Sequence, residues 1–426
     1  MQQTQPLITD FHRQGLYQAG AAGVFNGLKQ LISQQRYDIL RYHQLLYLQK
    51  ILCNMTGVPE DCPVFDQYPS LDELNTAMMQ VQHNEHYTVE MPTGSGKSGI
   101  MAVLPYCCNT SSVLVLAPSP DLARKLHADF CGTSAFVVKV GLTGKKFVPS
   151  DNCLLVANTH AIIAEKLRLK HQDLVVVNAQ KFQQNAFLTT TLEEGNDGDT
   201  ISEINLPADS FDLILVDEAH HYPAATWATF RSDGRPVAAP NKLISLSTYE
   251  AEKAMIIRPV NFSMFGNIND TRETEASDLC MSVVQSIMMH DQQEQQLHKA
   301  IIVCSRIGEV QIMSTILEPL LAPHGFQKVC YTSNDNCSSL DCFNDPNSPV
   351  RVAIVVNRLT EGYDNRNVST VGIYRNIQSK QFLTQVVGRA RRVCPGFTTQ
   401  ITANIIVHVN RNLQELINWI KRPNVD

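Results

Sequence analysis

The hydrophobic pattern of the chain changes character near residue 87. Before that point, apolar residues between Ile39 and Leu52 recur three and four positions apart, which is the spacing of one helical face. A loop rich in turn residues follows over 59–70, and a second helical pattern runs from Leu71 to Val81. We therefore predict a helical N-terminal extension over residues 1–86.

From residue 87 onward, short apolar runs alternate with helical stretches. Such runs predict strands buried on both faces, and their alternation with helices predicts parallel βαβ units. The first series of predicted strands is Tyr87–Glu90, Val113–Ala117, Phe136–Val140, Cys153–Ala157, Leu174–Asn178, Leu213–Val216 and Leu243–Leu246. The second series is Ala300–Cys304, Val329–Thr332, Val352–Val356, Val371–Tyr374 and Asn404–Val409, with helices predicted over 279–298, 309–321 and 379–387.

This order predicts an α/β protein of two parallel-sheet lobes. A polar stretch that contains Gly266, Asn267 and Asp270 separates the two series of strands. We therefore assign the first lobe to 87–265, a linker to 266–278 and the second lobe to 279–426.

Composition supports a globular protein without a membrane partner. The 426 residues are 44% hydrophobic and 18% charged, which fits two or three domains and excludes a disordered chain or a coiled coil. No apolar run reaches the roughly 18 residues needed to span a bilayer, and residues 1–14 lack the layout of a secretory signal. We expect a soluble protein of the cytoplasm or nucleus.

The twelve cysteines include no C-x-x-C pair. Reduced thiols are therefore our expectation, and a zinc site that uses Cys330, Cys337 and Cys342 is the alternative.

Positive charge is concentrated near the C-terminus. The whole chain carries −6, but residues 351–392 hold seven arginines and one lysine against Glu361 and Asp364, which gives +6 there and −12 elsewhere. We expect anionic ligands to meet this segment. Arg351, Arg358 and Arg375 are candidates for phosphate contacts, with a solvated surface as the alternative for each.

The sharpest chemical feature is the segment Met91–Ser98, which follows a predicted strand and precedes a predicted helix over Gly99–Tyr106. Glycines allow backbone N–H groups to curl around phosphates, and a helix N-terminus adds positive potential. Lys97 can reach the β- and γ-phosphates, and the Ser98 hydroxyl can ligate Mg²⁺. Met91 departs from the strict G-x-x-x-x-G-K-S pattern, and the alternative is a glycine turn that binds nothing.

A second feature is a pair of carboxylates after the apolar strand Leu213–Val216. Ligands of open parallel sheets bind at the carboxyl ends of the strands. There, Asp217 would hold Mg²⁺ and Glu218 would polarise the attacking water. The alternative is that the pair only caps a helix.

The third feature is the segment Gln385–Arg392. Arg389 and Arg392 are three residues apart and so predict one helical face, with Arg391 directed elsewhere. An arginine brought to a γ-phosphate neutralises charge in the transition state. A solvated basic helix is the alternative.

These segments, taken in order, resemble the superfamily 2 DEAD/DEAH-box helicases and translocases over residues 87–392. Met91–Ser98 resembles motif I, Asp217–His220 reads D-E-A-H as motif II does, and Gln385–Arg392 fits motif VI. The resemblance implies two RecA-like P-loop NTPase lobes, ATP and Mg²⁺ as cofactors, and single-stranded nucleic acid as partner. Gln385, Arg389 and Arg392 would complete the ATP site from the second lobe, with Thr93, Gly94, Ser95, Gly96, Lys97 and Ser98 around the triphosphate.

Further motifs place nucleic-acid and nucleotide contacts by resemblance. Ser119 lies in a motif Ia-like segment, Thr159 in a threonine-bearing motif and Ser305 in a motif IV-like segment, and these would contact the nucleic-acid backbone. Asn178-Ala179-Gln180 competes with Thr159 for its role.

Two further resemblances concern the base and ribose of ATP. Thr360–Asp364 resembles motif V, so Gly362 and Asp364 would approach the ribose. An upstream glutamine that reads adenine would be Gln44, although Gln67 is closer to the usual spacing.

Doubled histidines at 220–221 and the E-G-Y-D form of motif V favour the branch related to the helicase subunits of restriction enzymes, which generally acts on DNA. Motif III departs from the family, because Leu246-Ser247-Thr248-Tyr249 stands in its place. The expected function is an ATP-hydrolysing helicase or translocase, with separate subunits as further partners. A nucleic-acid-stimulated ATPase that does not unwind and a non-hydrolysing nucleotide-binding scaffold are the alternatives.

Overall fold

The computed structural model describes residues 16–35, 40–59, 64–68, 70–80, 87–108, 110, 112–131, 135–140, 142, 153–156, 174–178, 211, 213–217, 241–332, 338–356, 365–393 and 401–421. The chain divides into two compact units. The first comprises Met1–Thr88 and Lys97–Leu243, and the second comprises Val89–Gly96 and Ile244–Asp426.

Among the described residues, four helices precede the first strand. In chain order the elements are α1 (Leu16–Ser33), α2 (Tyr42–Thr56), α3 (Val64–Gln67), α4 (Leu71–Gln80), β1 (Tyr87–Glu90), α5 (Lys97–Cys107), β2 (Val113–Ala117), α6 (Pro120–Phe130), α7 (Phe136–Lys139), β3 (Cys153–Val156), β4 (Leu174–Asn178), β5 (Leu213–Val216) and β6 (Asn241–Ser245). Strands β3, β4, β2 and β5 form a parallel sheet in that order, while β1 pairs with β6. Within the first unit, α1 and α2 pack against α5, and α6 packs against β2, β3 and β4.

The prediction of a strand over Phe136–Val140 is wrong, because these residues begin the short helix α7. The Val140 N–H donates to the Phe136 carbonyl, which is helical i to i+4 bonding. A short apolar run alone does not distinguish a buried strand from a buried helical turn.

The second unit is built on a six-stranded parallel sheet. Its elements are α8 (Thr248–Lys253), β7 (Val260–Phe265), α9 (Arg272–Glu294), β8 (Lys299–Cys304), α10 (Ile307–Leu321), a 3-10 turn (Ala322–His324), β9 (Gln327–Tyr331), α11 (Ser338–Asn344), β10 (Val350–Val356), β11 (Val368–Tyr374), α12 (Lys380–Ala390), β12 (Ala403–His408), a 3-10 turn (Val409–Arg411) and α13 (Gln414–Lys421). The strand order is β7-β12-β11-β8-β10-β9.

Both faces of this sheet are buried, as the continuous apolar runs predict. Ile301 and Val303 of β8 join the core on the face that α12 and α13 cover, while Ile302 and Cys304 join the core under α9 and α10. Alternate residues of one strand therefore serve opposite cores, and the parallel α/β architecture with RecA-like lobes is confirmed.

The predicted domain division differs in detail from the elements of the structure. Strand β7, which the sequence places before the linker, pairs in parallel with β12 in the second unit. Helix α9 begins at Arg272, within the predicted linker 266–278, and Thr271 caps it by accepting the Thr274 N–H. Compact unit boundaries fall near residue 243 instead of 265.

Charged side chains are buried at the amino ends of the second sheet. Arg351 is 1% exposed, donates to both carboxylate oxygens of Asp291 at 2.7 and 2.6 Å, and donates to the His298 carbonyl. Of the two readings of Arg351, the solvated surface is therefore wrong, and the side chain serves an internal ion pair.

His290 lies in the same region and is 1% exposed. Its Nδ1 is 2.7 Å from Ser369 Oγ and its Nε2 is 3.2 Å from Asn404 Nδ2, so a neutral ring that donates at Nδ1 and accepts at Nε2 satisfies both partners. Burial, with the Arg258 cation contributing, lowers the pKa of His290 from 6.5 to about 4.

Eight cysteines whose side chains the structure describes are free thiols, and no disulfide joins them. Six are buried, Cys330 is intermediate and Cys342 is exposed, and the described residues contain no cluster of His, Cys, Asp and Glu that could hold a metal. Cys337, the remaining member of the alternative zinc set, lies outside the described residues. A bilayer-spanning helix is also absent from the described segments.

The depressed pKa of His290 predicts acid sensitivity. As the pH falls through 6.5, the unfolded chain binds a proton that the folded chain refuses until about pH 4, so the free energy of unfolding falls by roughly 3 kcal/mol over that window. Denaturation of His290→Asn at a series of pH values should lack this one-proton slope. The exposed His324 provides a control, since His324→Asn should keep it; equal slopes in both variants would contradict the assignment.

Candidate functional site

The glycine-rich segment forms a turn that leads directly into a helix. Gly94 and Gly96 have φ values of 92° and 97°, a region that side chains with a Cβ rarely adopt. Between them, the fully buried Ser95 donates from Oγ to the Pro92 carbonyl at 2.7 Å. The turn ends at Lys97, where α5 begins. A glycine-rich turn that leads into a helix N-terminus is the backbone arrangement that anion-binding loops use.

The predicted glutamine Gln44 lies beside the first turn of α5 in the first unit. A methyl group at Gly99 would be 2.7 Å from Gln44 Nε2 and 2.9 Å from Cζ of Phe136. Gln44 Oε1 accepts the Arg41 N–H at 3.0 Å, which fixes the Gln44 side-chain amide at the start of α2. The other candidate, Gln67, is exposed at the end of α3. Proximity to the helix that follows the loop therefore favours Gln44.

Asp217 stands at the carboxyl end of β5. Its N–H donates to the Leu116 carbonyl at 3.0 Å, which extends the pairing of β5 with β2 by one residue. The side chain is 7% exposed. A largely buried carboxylate at this edge of a parallel sheet has the position that ligand-binding residues of such sheets occupy.

The end of α12 lies against the glycine-rich turn within the second unit. An added methyl at Gly388 would be 2.6 Å from Thr93 Cγ2, and one at Gly94 would be 3.2 Å from Arg392 Cγ. Gly388 is therefore the residue that allows this close approach. Two segments separated by almost 300 residues in the sequence meet here.

The arginine-rich segment is buried and only partly helical. Gln385, Arg389 and Arg392 are 8%, 6% and 8% exposed, so the alternative of a solvated basic helix is wrong. Helix α12 ends at Ala390, and Arg392 forms an isolated antiparallel bridge with Ile257. The expected shared helical face of Arg389 and Arg392 therefore does not exist.

Arg391 is directed to Glu252 of α8, with which it forms an ion pair. Burial lowers the pKa of Arg391, and the Glu252 carboxylate opposes that shift.

The described residues proposed for nucleic-acid contact both lie at helix N-termini. Ser119 caps α6 by accepting the Leu122 N–H at 3.3 Å. The Ser305 N–H donates to Glu309 Oε2 at 2.7 Å, at the start of α10. Asn178 ends β4 and is 2% exposed.

Several predicted site residues lie outside the described residues. They are Glu218, Thr159, Gly362 and Asp364. Their assignments stay predictions.

Sequence reasoning missed Glu252 and Arg258, which both contact Arg391. Arg258 and Arg391 exchange backbone and side-chain hydrogen bonds across 133 positions of sequence. No local spacing signals such a pair, because it forms only when the second unit folds.

Comparison with known proteins gives a family match over part of the chain and a similar fold. Residues 38–247 match the family described as "Type III restriction enzyme, res subunit". A search of curated proteins found no match.

Among solved structures, a fragment described as the HsdR subunit of a type I restriction enzyme from Vibrio vulnificus YJ016 is 15% identical, with a TM-score of 0.52. The alignment covers 82% of this chain and 65% of that chain, so the present chain spans under two thirds of it. Dbp5 of S. cerevisiae, bound to RNA and ADP BeF3, is 14% identical, with 82% of this chain and 87% of that chain covered and a TM-score of 0.46.

The close approach at Gly388 predicts that Gly388→Ala destabilises the second unit. The added methyl would overlap Thr93 and cost about 1–3 kcal/mol of overpacking, a loss of several degrees in thermal melting. Gly308→Ala in α10 is the matched control, because nothing lies within 4 Å of its added methyl. Equal melting temperatures for the two variants would show that Thr93 does not pack on Gly388.

Proposed function

We propose that the chain is a superfamily 2 helicase related to restriction-enzyme subunits and that it hydrolyses ATP to move along or unwind nucleic acid. The contact between the phosphate-loop residues Thr93 and Gly94 and the arginine-bearing residues Gly388 and Arg392 carries this proposal. It brings the stem of a buried arginine to a loop whose backbone suits phosphates.

ATP would bind along the glycine-rich turn. Thr93–Gly96 would cradle the phosphates, and Lys97 would reach the β- and γ-phosphates from the first turn of α5. Gln44 would read adenine beside Gly99, and Gly362 and Asp364 would contact the ribose.

Mg²⁺ fits the oxygen donors that the first unit provides. The Ser98 hydroxyl and the Asp217 carboxylate are ligands of the kind that Mg²⁺ prefers. The bound ion would neutralise part of the negative charge of the phosphates. Glu218 would orient the attacking water in line with the γ-phosphate.

Gln385, Arg389 and Arg392 would stabilise the transition state. Low exposure of the two arginines strengthens their electrostatic effect, because water screens buried charges poorly. Removal of such an arginine typically costs about 10³–10⁵ in rate.

Nucleic acid would be held mainly by its backbone, near Ser119, Thr159 and Ser305. The preference for DNA over RNA rests on the resemblance to the restriction-enzyme branch. Separate subunits are a further class of partner.

The proposed site predicts that Lys97→Ala and Asp217→Asn each reduce polynucleotide-stimulated ATP hydrolysis to background. Phosphate release should be measured with single- and double-stranded DNA and RNA at one fixed salt concentration, because phosphate contacts depend on salt. Lys253→Ala, at an exposed position of α8, should keep wild-type turnover and serves as the charge-matched control. Unchanged turnover in both site variants would refute the assignment, and no phosphate release by the wild type would favour the scaffold alternative.

A non-unwinding ATPase is the second candidate, and the segment in place of motif III favours it. Ser247 caps α8, and its N–H and Oγ both donate to Glu250 at 2.9 and 2.7 Å. Its hydroxyl is therefore engaged within α8. A strand-displacement assay run beside the ATPase assay separates the two functions: hydrolysis without displacement supports this candidate, and robust displacement removes it.

A further inference from the structure

Helix α8 and the residues that follow it run beside the end of the arginine-rich segment, inside the second unit. Glu252 pairs with Arg391, and the two side chains are 29% and 6% exposed. The Arg258 N–H donates to the Arg391 carbonyl at 2.6 Å, and Arg391 Nε donates to the Arg258 carbonyl at 3.3 Å. Ile257 and Arg392 form an antiparallel bridge. Five residues thus connect two distant stretches of chain.

This connection is anchored to the core of the second unit. Arg258 is 1% exposed, and its guanidinium donates to the Val368 carbonyl of β11 at 3.3 Å and to Glu294 of α9 at 3.5 Å. Glu294 in turn accepts the Ile401 N–H at 3.0 Å. Because Arg258 is tied to β11 and α9, the backbone to which Arg391 binds has little freedom to shift.

The other side of the same connection faces the glycine-rich turn. A methyl group at Gly94 would lie 3.2 Å from Arg392 Cγ and 3.8 Å from Ile257 Cγ2. The residues paired in the Ile257–Arg392 bridge are therefore the residues that adjoin the turn. Any movement of Arg391 relative to Arg258 would change where Arg392 leaves the backbone.

The Glu252–Arg391 pair has the features of a positioning device. Arg391 is buried, so removal of Glu252 would leave its charge unpaired, which is unfavourable. The segment that contains Arg391 and Arg392 would then no longer be held in one conformation. Glu252 is itself held, because α8 begins with a reciprocal capping box between Ser247 and Glu250.

We propose that Glu252 and Arg391 are positioning residues that set the Arg392 side chain at the phosphate loop. This inference rests on the proposed function and deepens it. It assigns the placement of Arg392, the arginine proposed to stabilise the transition state, to Glu252 in α8 and Arg391 just after α12. Neither side chain touches the substrate. They act through the peptide that joins residues 391 and 392.

Loss of the pair should slow turnover more than it weakens nucleotide binding. Misplacement of a reacting group by about 1 Å can cost roughly 10²-fold in rate. We expect Glu252→Gln to lower kcat about 10- to 100-fold, less than the roughly 10³-fold or greater loss expected for Arg392→Ala.

The experiment compares Glu252→Gln, Arg391→Met and their double variant in the full chain. Steady-state ATP hydrolysis at saturating single-stranded DNA gives kcat and KM, and a fluorescent ATP analogue gives Kd. Each single variant should have a lower kcat than wild type, while its Kd for the ATP analogue stays within about threefold of wild type. A threefold change in Kd corresponds to less than the 1.4 kcal/mol that a tenfold change represents. The double variant should lose no more than the worse single variant, because the two residues act as one unit.

Glu275→Gln is the matched control. Glu275 forms an ion pair with Arg411 in the same unit, and these two side chains are 4% and 9% exposed. Thermal melting should show that it destabilises the protein at least as much as Glu252→Gln does, while its kcat stays within twofold of wild type.

The outcomes are separable from those of the proposed function. Three results would each overturn the positioning role: a wild-type kcat in Glu252→Gln, losses that multiply in the double variant, or an equal loss of kcat in Glu275→Gln. The proposed function would still stand in each case if the wild-type protein hydrolyses ATP. Absence of polynucleotide-stimulated hydrolysis in the wild type overturns both.

Discussion

A reciprocal pairing between Arg258 and Arg391 is the constraint on which the candidate site depends. The carbonyl of Arg391 accepts the Arg258 N–H, and the carbonyl of Arg258 accepts Nε–H of Arg391. The Arg258 guanidinium donates to Glu294 and to the Val368 carbonyl in the core. Without this pairing, the chain after α12 would lack a fixed course past the glycine-rich turn. The hydrophobic core supplies stability, but this polar connection supplies the register of the arginines.

Elements buried on all sides were predictable from the sequence. Strands β4 and β5 have the bounds that their apolar runs predict, Leu174–Asn178 and Leu213–Val216. The missed strand β7 lies at the edge of its sheet, and it contains the exposed residues Asn261 and Met264 beside the buried Phe262. An edge strand needs less apolar sequence than a central one, so its composition resembles a linker.

The candidate site was predictable only where its chemistry is local in sequence. Neighbouring residues in the sequence indicate the roles of the glycine-rich turn, Asp217 and Gln385–Arg392. The neighbours of Glu252 indicate no such role, because its significance comes from a partner that folding brings to it. Charge was also an incomplete guide: Arg351 belongs to the basic segment, yet its ion pair with Asp291 is structural.

The burial of most described cysteines has a practical consequence for chemical labelling. Thiol reagents react with the thiolate. Burial raises the pKa of Cys108 to about 12 and raises the pKa of Cys107 as well, both at the end of the helix that follows the glycine-rich turn. Cys342 is the exposed thiol among the eight cysteines whose burial the structure describes. A dye attached there would report on the second unit and leave Cys107 and Cys108 unmodified.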